Sequence, residues 1–165
     1  MSDLWLTRVI PDLRSRQARR DLPSAVGMHH RIRQLFPDTE AEQARAVLGV
    51  LFRIEDGPQG PHILIQSQAQ PDTTALPVGY GTIATKPLTP LLEGLKAGRP
   101  VRYRIAASAV RKPGKSTRAL YNLKPVVPLS GTATITDPGL LQSRLAEGIG
   151  RGKPYGCGLL TLAPA

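Results

Sequence analysis

The chain has 165 residues, enough for one domain or two very small ones, and its 41% apolar content suffices for a packed core, so wholesale disorder is excluded. No window approaches the eighteen apolar residues of a membrane span, and the single cysteine, Cys157, excludes an intramolecular disulfide framework and fits a reducing compartment. A net charge of +10 favours polyanionic partners, chiefly nucleic acid, over a charge that serves only solubility.

The charge is segregated. Arg8, Arg14, Arg16, Arg19 and Arg20 crowd the start, Arg102, Arg104, Arg111, Lys112, Lys115 and Arg118 form a second group, and Arg144, Arg151 and Lys153 a third. Acidic residues concentrate between Asp38 and Asp56, away from all three, as expected of a binding surface. The opening residues carry no basic segment followed by a long apolar stretch, so no secretory leader is read here, and a cytoplasmic protein is expected.

Residues 4–10 (LWLTRVI) read as a strand that Pro11 ends, and residues 12–21, basic and without apolar period, as an exposed loop. Ser24 is an N-cap candidate for a helix over 24–35 that Pro37 stops. Met28, Ile32, Leu35 and Phe36 make its apolar stripe; His29 falls on the stripe's edge and His30 points away, toward solvent. Residues 38–45 are polar, with room for a helical turn. Residues 47–54 and 62–66 predict a hairpin across the turn at 56–61, where Glu55 and Asp56 read as solvated turn residues and His62 as a strand-start residue. Residues 79–85 are a weaker strand, 88–95 hold a helical turn, and 101–107 are a strong strand with Arg102 and Arg104 on one face. The order β-α-β-β, helical turn, β predicts an α+β, ferredoxin-like sandwich, an architecture shared by many single-strand RNA binders. From 111 to 125 the chain reads as an exposed loop. Residues 131–136 form a strand, Asp137-Pro138 a helix start whose apolar face is Leu141, Leu145 and Ile149, and 159–163 a last strand. The expected division is a ferredoxin-like domain over 1–110 and an abbreviated second unit over 111–165, too short for a full copy.

Between the last helix and strand lies GIGRGKPYGCG, residues 148–158. Its five glycines let backbones approach closely, and Arg151 and Lys153 add charge beside exposed amides, an arrangement suited to a phosphate-bearing ligand; the alternative is a flexible connector. It is no P-loop, since Pro154 follows Lys153, and no dinucleotide fingerprint, since it leaves a helix and enters a strand. Cys157, between glycines, reads as a small packed residue rather than a nucleophile. His29, His30, His62 and Cys157 lack metal-ligand spacing, so neither metal nor cofactor is expected.

GIGRGKPYGCGLLTLAP at the C-terminus resembles the glycine-rich loop and final strand of the CasE family, the RNA-cutting subunit of type I-E CRISPR systems. LWLTRV (4–9), RRDL (19–22), MHH (28–30), Ile65-Gln66-Ser67, RYRIA (102–106) and the 131–138 strand and cap match the family's landmarks in order, nearly end to end. The resemblance implies two tandem ferredoxin-like units that bind a repeat hairpin and cut at its base. By that resemblance His29 is the catalytic imidazole. Lys153 and Tyr155 are the other catalytic candidates, Lys153 with Arg151 to stabilise the charged phosphorane and Tyr155 as partner for a base or a second proton relay. Arg16, Arg19, Arg20, Arg33, Arg102, Arg104, Arg111, Lys112, Lys115, Gly150, Arg151 and Gly152 are the candidate RNA-binding set. The implied chemistry is metal-independent: a 2′-hydroxyl attacks the adjacent phosphate, giving 2′,3′-cyclic phosphate and 5′-hydroxyl ends. Two departures bear on recognition and turnover: residues 107–131 are shorter than the family norm, and Val26 stands where a tyrosine is common. Three readings stay open. The chain is a guide-RNA processing endonuclease whose partners are RNA and subunits of a CRISPR surveillance complex, a stand-alone ribonuclease toxin restrained by an antitoxin, or a non-catalytic RNA binder.

Overall fold

The structure is a computed structural model and describes residues 3–36, 48–108 and 126–165. The helical turn expected at 38–45 and the loop at 111–125, with Arg111, Lys112 and Lys115, lie outside the described residues.

The first sheet joins β1 (Trp5–Pro11), β2 (Leu51–Gly57), β3 (Gly60–Ser67) and β4 (Gly81–Pro87) in the order β2-β3-β1-β4, all antiparallel. This is the ferredoxin-like strand order, with a helical crossover between β1 and β2. On the second crossover a 3₁₀ turn at Thr73–Ala75 stands where a helix would complete the pattern. β4 is the weak strand candidate: it is an edge strand with a half-buried face of Ile83 and Thr85 and an exposed face of Thr82, Ala84 and Lys86, so its hydrophobic pattern is faint.

The first crossover departs from expectation. Within the stretch read as a loop, Arg16–Asp21 forms α1, capped by Ser15, whose Oγ accepts from Ala18 N at 3.3 Å. Ala18 and Asp21 are buried beneath an otherwise charged turn, and two inward residues in six make too short a pattern to show a period. α2 (Ala25–Arg33) follows as expected, with Ser24 Oγ accepting from Gly27 N at 3.0 Å. Its stripe of Met28, Ile32, Leu35 and Phe36 packs with Val9, Phe52, Ile63 and Ile65 into the first core.

A link carrying the short helix α3 (Thr89–Glu93) leads to the second sheet, β6-β5-β7, built from β5 (Pro100–Ser108), β6 (Val126–Thr134) and β7 (Leu160–Pro164). The 101–107 strand was expected in the first unit; it is instead the central strand of the second sheet, because β4 already occupies the edge of β1. α4 (Pro138–Glu147) starts at Asp137, whose Oδ1 accepts from Leu140 N at 2.9 Å, and packs Leu145 with Leu4, Leu92, Leu95, Ile105 and Leu160 into a second core. The order β6-β5-β7 with one crossover helix is a ferredoxin-like unit reduced, among the described residues, to three strands and α4. The fold is therefore α+β with two tandem ferredoxin-like units, the second abbreviated among the described residues. Among the described residues no helix is long and apolar enough to cross a membrane.

Candidate RNA-processing site

The glycine-rich segment is an anchored loop rather than a free connector. Its neck closes where Ile149 N donates to Gly158 O at 2.9 Å, and Gly158 N donates to Ala106 O, also at 2.9 Å, tying it to β5. Two glycines are needed for close approach: a Cβ on Gly148 would lie 2.8 Å from both Leu51 Cδ atoms, and one on Gly158 2.8 Å from Ile149 O, each at positive φ. Lys153–Tyr155 makes a 3₁₀ turn within the loop, and Gly156 rests 3.3 Å (from its would-be Cβ) above the Phe52 ring of β2.

That turn meets α2. Cα atoms of α2 and of the Lys153–Tyr155 turn approach within 8 Å, and the same turn touches β2. The helix carrying His29 and the basic loop thus face one another across the edge of the first sheet. His29 is half-buried and His30 exposed, their ring centroids 6.4 Å apart and tilted by 56°. Lys153 Nζ donates to Glu147 O at 2.6 Å, placing a cation at the carboxyl end of α4, where the helix dipole favours it. An ammonium has three donors, so two remain for a ligand. Tyr155, Gly150 and Arg151 are exposed, and Gly152 is half-buried at φ +82°. Cys157 is buried, which pushes its thiol pKa up and suits a packed, unreactive role.

α2 is held from behind by polar residues the sequence did not single out. Arg31 Nε donates to Asp21 Oδ2 at 2.7 Å in a buried pair; Arg31 Nη1 reaches Gln34 Oε1 at 2.7 Å and Nη2 reaches Gln17 Oε1 at 3.2 Å. The guanidinium also lies 5.0 Å from the Tyr80 ring centre, a cation–π contact. Burial, then the charge of Asp21, pushes the Tyr80 phenol up to about 12. Asp21 fell at the end of the stretch read as an exposed loop; nothing in a single sequence marks it and Arg31 as a pair ten residues apart.

The basic residues divide between two surfaces. Arg16, Arg19 and Arg20 are on α1 and Arg33 on α2, over the helix-covered face of the first sheet. Arg102 and Arg104 are exposed on β5, and Arg104 Nη1 lies 3.4 Å from Glu55 Oε2. Glu55 alternates along β2 with core residue Phe52, so it points to the face away from α2. Arg102 and Arg104 therefore do not converge on His29.

Glu55 corrects the turn reading. It is a half-buried strand residue flanked by two guanidinium groups and an imidazole, with Arg53 Nη2 at 2.6 Å, Arg104 Nη1 at 3.4 Å and His62 Nε2 at 3.1 Å. Burial opposes its charge, but Arg53, then Arg104, and hydrogen bonds from Arg53 and His62 outweigh it and hold the carboxyl below its ordinary pKa. His62 is thus a hydrogen-bond partner of Glu55 as well as an early strand residue. Arg53 itself is buried and crosses between the sheets, donating to Leu159 O at 2.8 Å, Arg104 O at 3.0 Å and Thr161 Oγ1 at 2.7 Å. Burial pulls its pKa below the ordinary guanidinium value, partly offset by Glu55.

Known proteins share this fold. The profile of the family described as CRISPR associated protein matches residues 4–125 and 123–164. CRISPR-associated endoribonuclease Cse3 of Thermus thermophilus is 24% identical over 98% of this chain and all of the relative. The structure of Thermus thermophilus Cse3 bound to an RNA representing a pre-cleavage complex superposes with a TM-score of 0.79, at 24% identity, covering 98% of this chain and 100% of that one. A chain of a CRISPR RNA-guided surveillance complex in a pre-nicking state is 29% identical, with a TM-score of 0.70 and coverage of 98% and 100%. With the profile spanning nearly the whole sequence and the tandem fold matching, the chain belongs to the CRISPR associated protein family, in its CasE branch.

Proposed function

We propose that this chain is a metal-independent endoribonuclease that cuts CRISPR precursor RNA at repeat hairpins, works in the cytoplasm and serves a CRISPR RNA-guided surveillance complex. One observation carries the reading: the helix bearing His29 and the basic glycine-rich turn bearing Lys153 meet at one edge of the first sheet. The Cse3 relative bound to pre-cleavage RNA and the surveillance-complex chain support the substrate and the partner.

In this reading His29 takes the 2′-hydroxyl proton as that oxygen attacks the adjacent phosphorus, the bond to the 5′-oxygen breaks, and the products carry a 2′,3′-cyclic phosphate and a 5′-hydroxyl. Lys153, through its two remaining donors, and Arg151 stabilise the charge that builds on the phosphorane. Tyr155, exposed on the same turn, contacts the strand being cut. Arg16, Arg19, Arg20 and Arg33 hold the phosphates on the helix-covered side, and the amides of Gly150 and Gly152 approach the backbone closely. The two units divide within the 88–99 link, between β4 and β5.

The test is cleavage of end-labelled repeat RNA in chelator, with the product ends identified. Wild-type protein is expected to cut at the hairpin base and leave cyclic phosphate. His29→Ala is expected to lose about 10²–10⁴-fold in rate while keeping RNA affinity. Undiminished cutting by His29→Ala, or cutting only with added metal and ending in 3′-hydroxyl, overturns the reading.

A further inference from the structure

Neighbouring residues on a helix diverge by about 100°, so two consecutive histidines ordinarily serve different surroundings. On α2 the separation is small enough for one target. The 6.4 Å between the His29 and His30 ring centroids places them about two hydrogen-bond lengths apart. A proton-transfer group works at roughly 2.6–3.2 Å from the atom it serves, so one imidazole can stand on each side of a phosphodiester.

The surroundings of His30 leave it open to such a role. It is exposed and lines a groove between α1 and α2 with Arg20, Ser24, Val26 and Gly27. Val26, on the same groove, is 64% exposed rather than packed over the ring. The charged groups facing the groove are Arg20, Asp21 and Arg31. Asp21 and Arg31 are buried and paired with one another; Arg20, 73% exposed, donates through Nε to the other Asp21 oxygen at 3.3 Å and stands as a cation at the mouth where a phosphate would enter.

We propose that His30 is a second catalytic residue, the general acid to the general base His29, and that the groove beside it takes the RNA phosphodiester on the leaving-group side. This rests on the role of His29 proposed above. The 2′-oxygen gives its proton to the neutral imidazole of His29 and forms the new bond to phosphorus. As the phosphorus–5′-oxygen bond breaks, the imidazolium of His30 passes its proton to that oxygen. Solvent then takes the proton from His29 and returns one to His30. Across a turnover one proton moves from the 2′-oxygen to the 5′-oxygen, with no oxidant, metal or water consumed.

Replacing the bridging 5′-oxygen at the cut site with sulfur isolates the acid. A thiolate, whose conjugate acid has a pKa of roughly 8.5, leaves without protonation. Single-turnover rates of wild type, His29→Ala, His30→Ala and His30→Gln are compared on the ordinary and the sulfur-bridged repeat RNA. The His30 variants are expected to lose about 10²–10⁴-fold on ordinary RNA and to recover most of it on the sulfur substrate, while His29→Ala stays impaired on both. An unchanged urea midpoint checks that the exposed position is not structural. His30 variants within twofold of wild type on ordinary RNA, or equally slow on both substrates, overturn the proposal while His29→Ala remains inactive. Should His29→Ala cut at the wild-type rate, the reading of His29 falls, and this proposal with it.

Discussion

Arg53→Met tests whether the two sheets are held together by the charge network rather than by apolar contact alone. Methionine fills a similar volume, so packing is largely kept while the guanidinium is lost. Its removal leaves Leu159 O, Arg104 O and Thr161 Oγ1 without that donor, and Glu55 without its 2.6 Å partner, at a site where Arg53 is only 4% exposed. Breaking a buried pair by deleting one member costs about 3–5 kcal/mol, since a charge is left uncompensated. Arg104 and His62 still face Glu55, which places the expected cost at the lower end, about 3 kcal/mol. For a chain of this length that lowers Tm by roughly 6–12 °C. The assay is urea unfolding followed by far-UV circular dichroism, with Arg53→Met, Glu55→Leu and the double variant completing a cycle. The double variant should regain at least about 1 kcal/mol over Arg53→Met, because the stranded carboxylate is gone. A loss below about 1 kcal/mol in Arg53→Met, or strictly additive single variants, refutes the reasoning.

Three further outcomes follow from the same structure. Because Glu55 has its pKa lowered in the fold, its stabilisation is present above the unfolded carboxyl value of roughly 4.3 and is lost as pH falls through the folded value; the stability gap between wild type and Glu55→Gln, read from urea midpoints, should be constant near neutrality and close in acid. Gly158→Ala puts a Cβ 2.8 Å from Ile149 O at φ +89°, so thermal melting should show about 1–3 kcal/mol lost and RNA cleavage should slow as the loop shifts. Asp21→Asn removes the charge facing Arg31 behind α2, and a drop of about 3 kcal/mol in unfolding free energy is expected; a change under about 0.5 kcal/mol would show that α2 does not depend on the pair.

What the sequence disclosed follows the strength of its periodic signals. α2, the β2–β3 hairpin, β5 and the Asp137 cap each have a local pattern, and each forms, the cap at Asp137 itself and the others with bounds shifted by a few residues. α1 and β4 were obscured because each shows the core few apolar residues: Ala18 on a six-residue helix, Ile83 on an edge strand. Residue spacing also could not separate Arg102 and Arg104 from the residues near His29, since all share one sign of charge; only the alternation of β2 and the reach of Arg53 reveal that β5 presents them on another surface. The glycine-rich loop was the clearest site signal, yet its meeting with α2 depends on Phe52 and Ala106, residues with no chemistry of their own.

This dependence determines where the candidate site is vulnerable. The loop is fastened to both units at once: Gly156 rests on Phe52 and Gly148 on Leu51 in the first sheet, while Gly158 N bonds to Ala106 O in the second. α2 belongs to the first unit alone, held by the Asp21–Arg31 pair and the first core. The distance between Lys153 and His29 is therefore set by how the second sheet sits on the first, and that seating is governed by Arg53 and by Gln66, whose Nε2 donates to Leu145 O at 2.6 Å. A misplacement of about 1 Å in a catalytic constellation can cost 100-fold in rate. Arg53 and Gln66, on the β2–β3 hairpin and remote from any proton transfer, act on cleavage through geometry. Their variants should lower the rate at saturating RNA more than they weaken RNA binding.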